Sequence, residues 1–405
     1  MAITLPRSGQ AQAPAQAQPA ARVTSPPAQA QTAAPRTQPA QSQVASTSSS
    51  DTFGTAQEEM FKILGRAQSK GASDIILSVG LPPMIRVSGS LVRDQFPVLN
   101  PDMVKKLVYS FLRQDQIAIF EQSFELDMAL SVPGIARYRV NVFRQKKCVG
   151  AAFRSITETI PSFEELGLPK PIETMALLPR GLVLVTGPTG SGKSSTLAAM
   201  LDLINQRKNG HIITIEDPIE YVHRHKNCVV EQRELKTDTE SFTIALRQSL
   251  RQNPDTILVG EMRDLETISA AISAAETGHL VMSTLHTQDA AQTVDRIIDV
   301  FPSHQQEQVR AQLSTTLRGI VSQQLLPRKN GGRVAAREIL LVTSAIANLI
   351  REGKSYQINS AIQTGAKLGM VSMDMSLMDL YSKGLVTYED AVSKAIYPEN
   401  IKPNF

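Results

Sequence analysis

The residues with the clearest chemistry form one run, Gly187-Pro188-Thr189-Gly190-Ser191-Gly192-Lys193-Ser194, with Ser195 next. Their types and spacing match G-x-x-x-x-G-K-[ST], a loop that cradles phosphates. Glycines let the backbone curl until several N–H groups point at one spot, and a helix starting there adds partial positive charge. Lys193 is then placed to neutralise the β- and γ-phosphates of ATP, and Ser194 to hold Mg2+. An ordinary glycine-rich turn needs neither a strand before it nor a helix after it. Here 182–186 reads as a strand and 194–205 as a helix.

Carboxylates follow two other apolar strands. Thr256-Ile257-Leu258-Val259 runs into Gly260-Glu261. In parallel sheets ligands gather beyond the carboxyl ends of the strands, where Glu261 falls, and a carboxylate there can hold Mg2+ or its waters. Taken alone, an acidic residue after a strand is more often a solvated loop charge; the phosphate loop reverses that reading. Ile215-Glu216-Asp217-Pro218-Ile219-Glu220 places three carboxylates close together after a second strand. Such a cluster is costly unless cations or protons are shared, and a metal with a water to be deprotonated supplies the reason. Asp217-Pro218 also suits a plain turn.

His279 and His286 bracket a strand over 280–284. His286, beyond the carboxyl end with Thr284 and Thr287 beside it, is well placed to sense a γ-phosphate. The pair lacks a third ligand nearby in sequence and is not expected to bind metal. Arg247 and Arg251 share one helix face, which a solvated surface also explains. Arg137, Arg139 and Arg154 lie on predicted strands of an earlier segment. In a ring, any of them is a candidate to reach a neighbour's phosphates.

The elements that position these groups fall into two kinds. From Arg180 onward, short continuous apolar strands (182–186, 212–215, 256–259, 280–284) alternate with helical stretches. That pattern implies a parallel sheet covered on both faces, an α/β core. Before it, a helix is predicted over 58–69 and another over 101–120. Strands are predicted at 75–79, 84–88, 125–132, 137–144 and 148–156, which suggests a smaller α+β domain. The prolines 161, 169, 171 and 179 mark a linker. The expected organisation is a tail at 1–52, an α+β domain at 53–157, a linker at 158–179, an ATPase core at 180–342 and a helical region at 343–405. The tail is Ala, Pro, Gln, Ser and Thr with few charges, and is expected to be disordered.

Composition narrows the classes. The chain of 405 residues is 42% hydrophobic and 20% charged, as in globular proteins. No apolar run reaches the roughly 20 residues needed to span a bilayer, and the first ten residues carry no signal-peptide pattern, so a cytoplasmic location is expected. Two cysteines, Cys148 and Cys228, fit a reducing compartment and exclude a four-cysteine zinc site. A formal charge of +4 without any tryptophan gives little material for nucleic-acid binding, and none is expected.

Four motifs together resemble the secretion and pilus motor ATPases, and more narrowly the branch that retracts type IV pili. They are the phosphate loop, the Asp box from Thr214 to Tyr221, the Walker-B run Val259-Gly260-Glu261-Met262-Arg263-Asp264, and the His box from Thr277 to Thr287. The resemblance covers about 58–395. It implies a PAS-like first domain, a RecA-like second domain, and a homohexamer that closes its domains around ATP to work on the inner-membrane pilus platform protein. It implies that Glu220 is the catalytic carboxylate, Glu261 the Walker-B glutamate, and His279 with His286 the His-box pair. It further implies that Arg247, Arg251 and Arg296 contact nucleotide or support the site. The missing tetracysteine insert and the segment Ala345-Ile346-Ala347-Asn348-Leu349-Ile350-Arg351-Glu352 favour retraction over assembly. Ala347 stands where that signature usually has arginine, and Ile76 where relatives usually have histidine. The competing readings are an assembly or type II secretion ATPase, a non-hydrolysing regulatory subunit, and a nucleic-acid translocase.

Overall fold

The computed structural model describes residues 49–87, 89–156 and 159–403, with side chains from residue 56 onward. The expected disordered tail lies outside the described residues, apart from 49–52. Those residues open the helix Ser49–Ser69, ahead of the predicted start of order at Phe53. That helix buries Met60, Ile63, Leu64 and Ala67, the i, i+3, i+4, i+7 stripe of a helix packed on one side.

The first sheet has six strands: β1 (Asp74–Leu77), β2 (Met84–Val87), β3 (Ser90–Arg93), β4 (Glu125–Val132), β5 (Ala136–Gln145) and β6 (Cys148–Ile156). Their order is β3-β2-β1-β6-β5-β4, every pair antiparallel. The helix expected over 101–120 is two helices, Pro101–Tyr109 and Gln114–Ser123. The Asn100 side chain accepts from Met103 N at 2.8 Å to start the first. Arg113 N donates to the Gln116 side chain at 3.0 Å to start the second. Leu112, between them, still points into the core. The apolar spacing therefore runs unbroken through a break in the backbone.

The second sheet has seven strands: β7 (Gly181–Thr186), β8 (His211–Glu216), β9 (Val229–Glu234), β10 (Thr256–Val259), β11 (Leu280–Leu285), β12 (Leu317–Pro327) and β13 (Arg333–Leu341). Their order is β13-β12-β7-β11-β10-β8-β9. All pairs are parallel except β12 with β13. Every residue of β7, β10 and β11 is buried, because helices cover both faces. Leu182 and Leu184 pack with the helices Phe242–Ser249, Leu265–Glu276 and Ala290–Asp299. Val183 and Val185, pointing the other way, pack with the helix Lys193–Arg207. The predicted α/β core beside a smaller α+β unit is the architecture found.

From Ser344 the chain is helical. These last helices stay attached to the sheet: Arg337 N donates to Ser376 Oγ at 2.9 Å, and Ile339 of β13 bridges to Val371. Asp374 accepts from Ile396 N at 2.8 Å and Tyr397 N at 3.2 Å, holding the final turn in place.

Candidate active site

Because β7, β8, β10 and β11 are parallel, the segments that follow them open at one edge of the sheet. A cleft of about 710 Å³ lies there. Thr189, Gly190, Gly192, Lys193, Ser194 and Ser195 line it from the loop after β7. Glu216, Asp217 and Glu220 line it from the end of β8, Gly260 and Glu261 from beyond β10, and Thr284 and His286 from the end of β11. Arg139 enters from β5 of the first sheet.

At its first residue the loop lies too close to β12 for a side chain. Gly187 has φ +135, and a Cβ there would lie 2.2 Å from the carbonyl oxygen of Gln323 on β12. Gln323 is 1% exposed, and its Nε2 donates to Ser191 O at 3.3 Å. Gly192, with φ 90, opens the helix Lys193–Arg207, so its dipole points into the cleft. Lys193 Nζ donates to the carbonyls of Gly187 at 2.8 Å and Pro188 at 3.1 Å. Burial holds the ammonium below its ordinary pKa, while the charges of Glu261 and Glu220 pull it back up. A phosphate chain in the loop would take over from those two carbonyls.

Glu261 is flanked by an imidazole and a guanidinium. His286 Nε2 lies 3.0 Å from Oε1 and Arg263 Nη2 lies 2.7 Å from Oε2. Burial pushes this carboxyl up, but Arg263, His286 and Lys193 outweigh it and leave the group below its usual range. Thr284 Oγ1 donates to Gly260 O at 2.7 Å, tying β11 to the turn that carries Glu261.

Glu216 is mostly sequestered, and burial pushes its carboxyl up. It accepts from Thr214 Oγ1 at 2.6 Å and Gln232 Nε2 at 3.1 Å, and from the backbone of Glu220. Of the three clustered carboxylates it therefore braces the turn, while Glu220 lines the cleft. The Asp217-Pro218 peptide within this turn is cis.

The arginines separate. Arg139 lines the cleft. Arg296 lines an adjoining hollow of about 350 Å³, shared with Glu261, Arg263 and His286. Arg154 is exposed and pairs with Asp74 at 2.9 Å. Arg247 and Arg251 are exposed and do not line the cleft. Arg137 is held by Glu234 at 2.7 Å.

His279 lies off the cleft. Its carbonyl accepts from Gly181 N at 3.0 Å where β7 and β11 begin. It thus sits at the sheet end opposite the loop, roughly 15–20 Å away for a strand of this length. Its Nδ1 contacts Ala274 O at 3.0 Å. Within one chain the two box histidines are neighbours in sequence and not in space. Motif reading also missed Arg263 beside Glu261, and Phe242, Leu325 and Arg333 on the cleft wall. Arg263, two residues beyond Glu261, was the one with a visible signal.

Ser194 and Glu261 offer hard oxygen donors on the cleft wall. Among the described residues no group of three His, Cys, Asp or Glu is arranged to hold a metal by itself. That donor set fits Mg2+, which keeps several waters and takes its remaining ligands from phosphates.

A mostly parallel sheet with a phosphate loop after the interior strand β7, and carboxylates beyond the parallel strands β8 and β10, defines the P-loop class of nucleotide-binding proteins. Within that class, the family model described as "Type II/IV secretion system protein" matches residues 153–368, and the chain belongs to this family. It is 53% identical over 342 residues to the "Type IV pilus retractation ATPase PilT" of Pseudomonas aeruginosa, covering 84% of this chain and 99% of that one. It is 50% identical over 320 residues to the "Twitching motility protein" of Neisseria gonorrhoeae, covering 79% and 86%. Among solved structures, that of the pilus retraction motor PilT with bound ADP superposes with a TM-score of 0.80 at 49% identity, covering 84% of this chain and 97% of that one.

Proposed function

We propose that this protein is a Mg2+-dependent ATPase that drives type IV pilus retraction, and hence twitching motility. The observation that carries the reading is the meeting of Lys193, Ser194, Glu220, Glu261 and His286 in one cleft of a chain 53% identical to a retraction ATPase along nearly all of that relative's length. In this reading Gly187 to Ser195 bind the triphosphate through backbone N–H groups, and Lys193 turns from the Gly187 and Pro188 carbonyls to the β- and γ-phosphates. Ser194 and Glu261 hold Mg2+, which neutralises charge on the phosphates when bound. Glu220 takes the proton of the attacking water. His286, touching Glu261, reports on the γ-phosphate.

Arg139 adds positive charge from the first sheet, so closure of the two sheets around nucleotide completes the site. The working assembly is a homohexamer acting on the inner-membrane pilus platform protein at the cytoplasmic face. Among the described residues no helix is long and apolar enough to cross a membrane. Arg247, Arg251, Arg154 and His279 lie off the cleft within one chain, so any nucleotide contact they make is with a neighbouring subunit.

Turnover of ATP that requires Mg2+ and vanishes in Lys193→Ala tests the chemistry. Deletion of the gene tests the direction of work. Cells that keep pili but lose twitching support retraction, and cells without pili overturn it in favour of assembly.

A further inference from the structure

Glu234 ends β9, at the edge of the second sheet. Its Oε2 accepts two hydrogen bonds of different origin. One comes from the backbone N–H of Ile219 at 3.2 Å, the residue before Glu220. The other comes from Arg137 Nη2 of the first sheet at 2.7 Å. Among the ion pairs of the described residues, this is the one in which both side chains are less than one-fifth exposed, at 16% and 7%.

The turn that carries Glu220 thus hangs from two carboxylates. Glu216 accepts from the Glu220 backbone, and its other partners, Thr214 and Gln232, belong to the second sheet. Glu234 accepts from the adjacent N–H, but its charge is balanced from the first sheet. Removing one partner of a buried pair leaves the other charge uncompensated, which is strongly unfavourable. Arg137 and Arg139 lie two apart on β5, so both side chains leave the same face, and Arg139 lines the cleft. One strand of the first sheet therefore touches the phosphate cleft and the support of Glu220 together.

We infer that Glu234 is a positioning residue for hydrolysis: with Arg137 it couples the seating of the Glu220 turn to docking of the first sheet. When the first sheet moves away, Glu234 loses its counter-charge and the Ile219 N–H loses a fixed acceptor. Bound ATP then faces a misplaced Glu220 and survives. This inference rests on the ATPase reading above.

The test uses full-length protein carrying Arg137→Ala, Arg137→Lys, Glu234→Gln, or Arg137→Ala with Glu234→Gln. Steady-state kinetics is read together with amide hydrogen exchange over residues 217–221. Arg137→Ala and Glu234→Gln are each expected to lower kcat by roughly tenfold or more, since small misplacements of a reacting group are that costly. KM for ATP should stay within about twofold, because binding is untouched. The double variant should be no slower than the worse single one, and Arg137→Lys should recover most of the rate. Exchange over 217–221 should quicken in both single variants. Should Arg137→Ala fail to fold, Glu234→Gln and Arg137→Lys carry the comparison. Unchanged exchange over 217–221, losses that multiply in the double variant, or a KM effect without a kcat effect would each overturn the inference. Wild-type protein that hydrolyses no ATP would sink the ATPase reading instead, and the exchange data would still decide the coupling.

Discussion

His286 Nε2 stands 3.0 Å from Oε1 of Glu261, while Arg263 occupies the other oxygen of the same carboxylate at 2.7 Å. Both oxygens are engaged, so in the proposed role of holding Mg2+ Glu261 would have to exchange partners. The imidazole contact is the longer of the two but the more enclosed, His286 being 45% exposed against 75% for Arg263.

His286→Ala is therefore expected to lower single-turnover hydrolysis by about ten- to a hundredfold, less than the roughly hundred- to ten-thousandfold loss of a direct proton acceptor, because His286 acts through Glu261. Binding of a fluorescent ADP analogue in the absence of Mg2+ should change little, since the imidazole touches Glu261 and not the phosphate loop. A His286→Ala enzyme with wild-type turnover would remove the residue from the reaction.

Gly187→Ala should be far more damaging than its chemistry suggests. The added methyl would sit 2.2 Å from Gln323 O at φ +135, so either the loop or β12 must shift. A loss of more than about 2 kcal/mol is expected for a clash with backbone at a strained φ, together with loss of nucleotide binding. Gly190→Ala is the control, having the same kind of φ at +80 but nothing within 4 Å. It should unfold later than Gly187→Ala in a urea titration.

Asn205 is fully buried and fastens the segment before β9 to the phosphate-loop helix. Its Nδ2 donates to Arg224 O at 2.7 Å, and its Oδ1 accepts from Lys226 N at 3.1 Å and Cys228 N at 3.3 Å. Asn205→Ala strands Cys228 N in a buried setting and leaves Arg224 O and Lys226 N, partly buried, to find water. A cost of roughly 2–4 kcal/mol is expected, since one fully buried orphan costs about 1–3 kcal/mol and the partly buried ones less. Chemical denaturation measures it directly. A change under about 0.5 kcal/mol would mean that water replaces the amide.

Glu338 gives the fold a pH dependence. It lies on β13, buried, accepting from Ala290 N at 2.7 Å. Burial pushes its carboxyl up to about 7, with Asp289 and Asp374 adding to the rise. Between 4.5 and about 7 the folded group keeps a proton that the unfolded chain has released. Stability present below the lower value is therefore lost as pH rises through the upper one, by an amount on the order of 3 kcal/mol. Glu338→Gln keeps the acceptor for Ala290 without the charge. Its melting temperature should fall less than that of wild type between about pH 5 and pH 8, and a parallel fall would refute the assignment.

The parts legible in sequence were those with an uninterrupted pattern. The four strands of the core were visible because both faces are covered, and the phosphate loop because its geometry tolerates so few residue types. Strand β12 was hidden by Ser322 and Gln323, polar residues buried because Thr186 Oγ1 donates to Ser322 Oγ at 3.0 Å and Ser191 accepts from Gln323. Nothing in the linear text announces such partners. Strand β3 is exposed throughout and carries no alternation. The histidine pair separates for a related reason: His279 and His286 flank one strand, and a strand's two ends face opposite edges of the sheet. Exposed arginines such as Arg247 and Arg251 look the same in sequence as Arg139, because what separates them is the fold's placement and not their neighbours.

The contact of Gly187 with Gln323 has a mechanical consequence. Gln323 is paired across the hairpin with Arg337, whose N–H is held by Ser376 in the last helices. The phosphate loop and the helix that carries Ser376 are thus joined through β12 and β13. Close-packed interiors are stiff and carry displacement onward. In the proposed motor, a shift of this loop on nucleotide release would therefore be felt at the carboxyl-terminal helices.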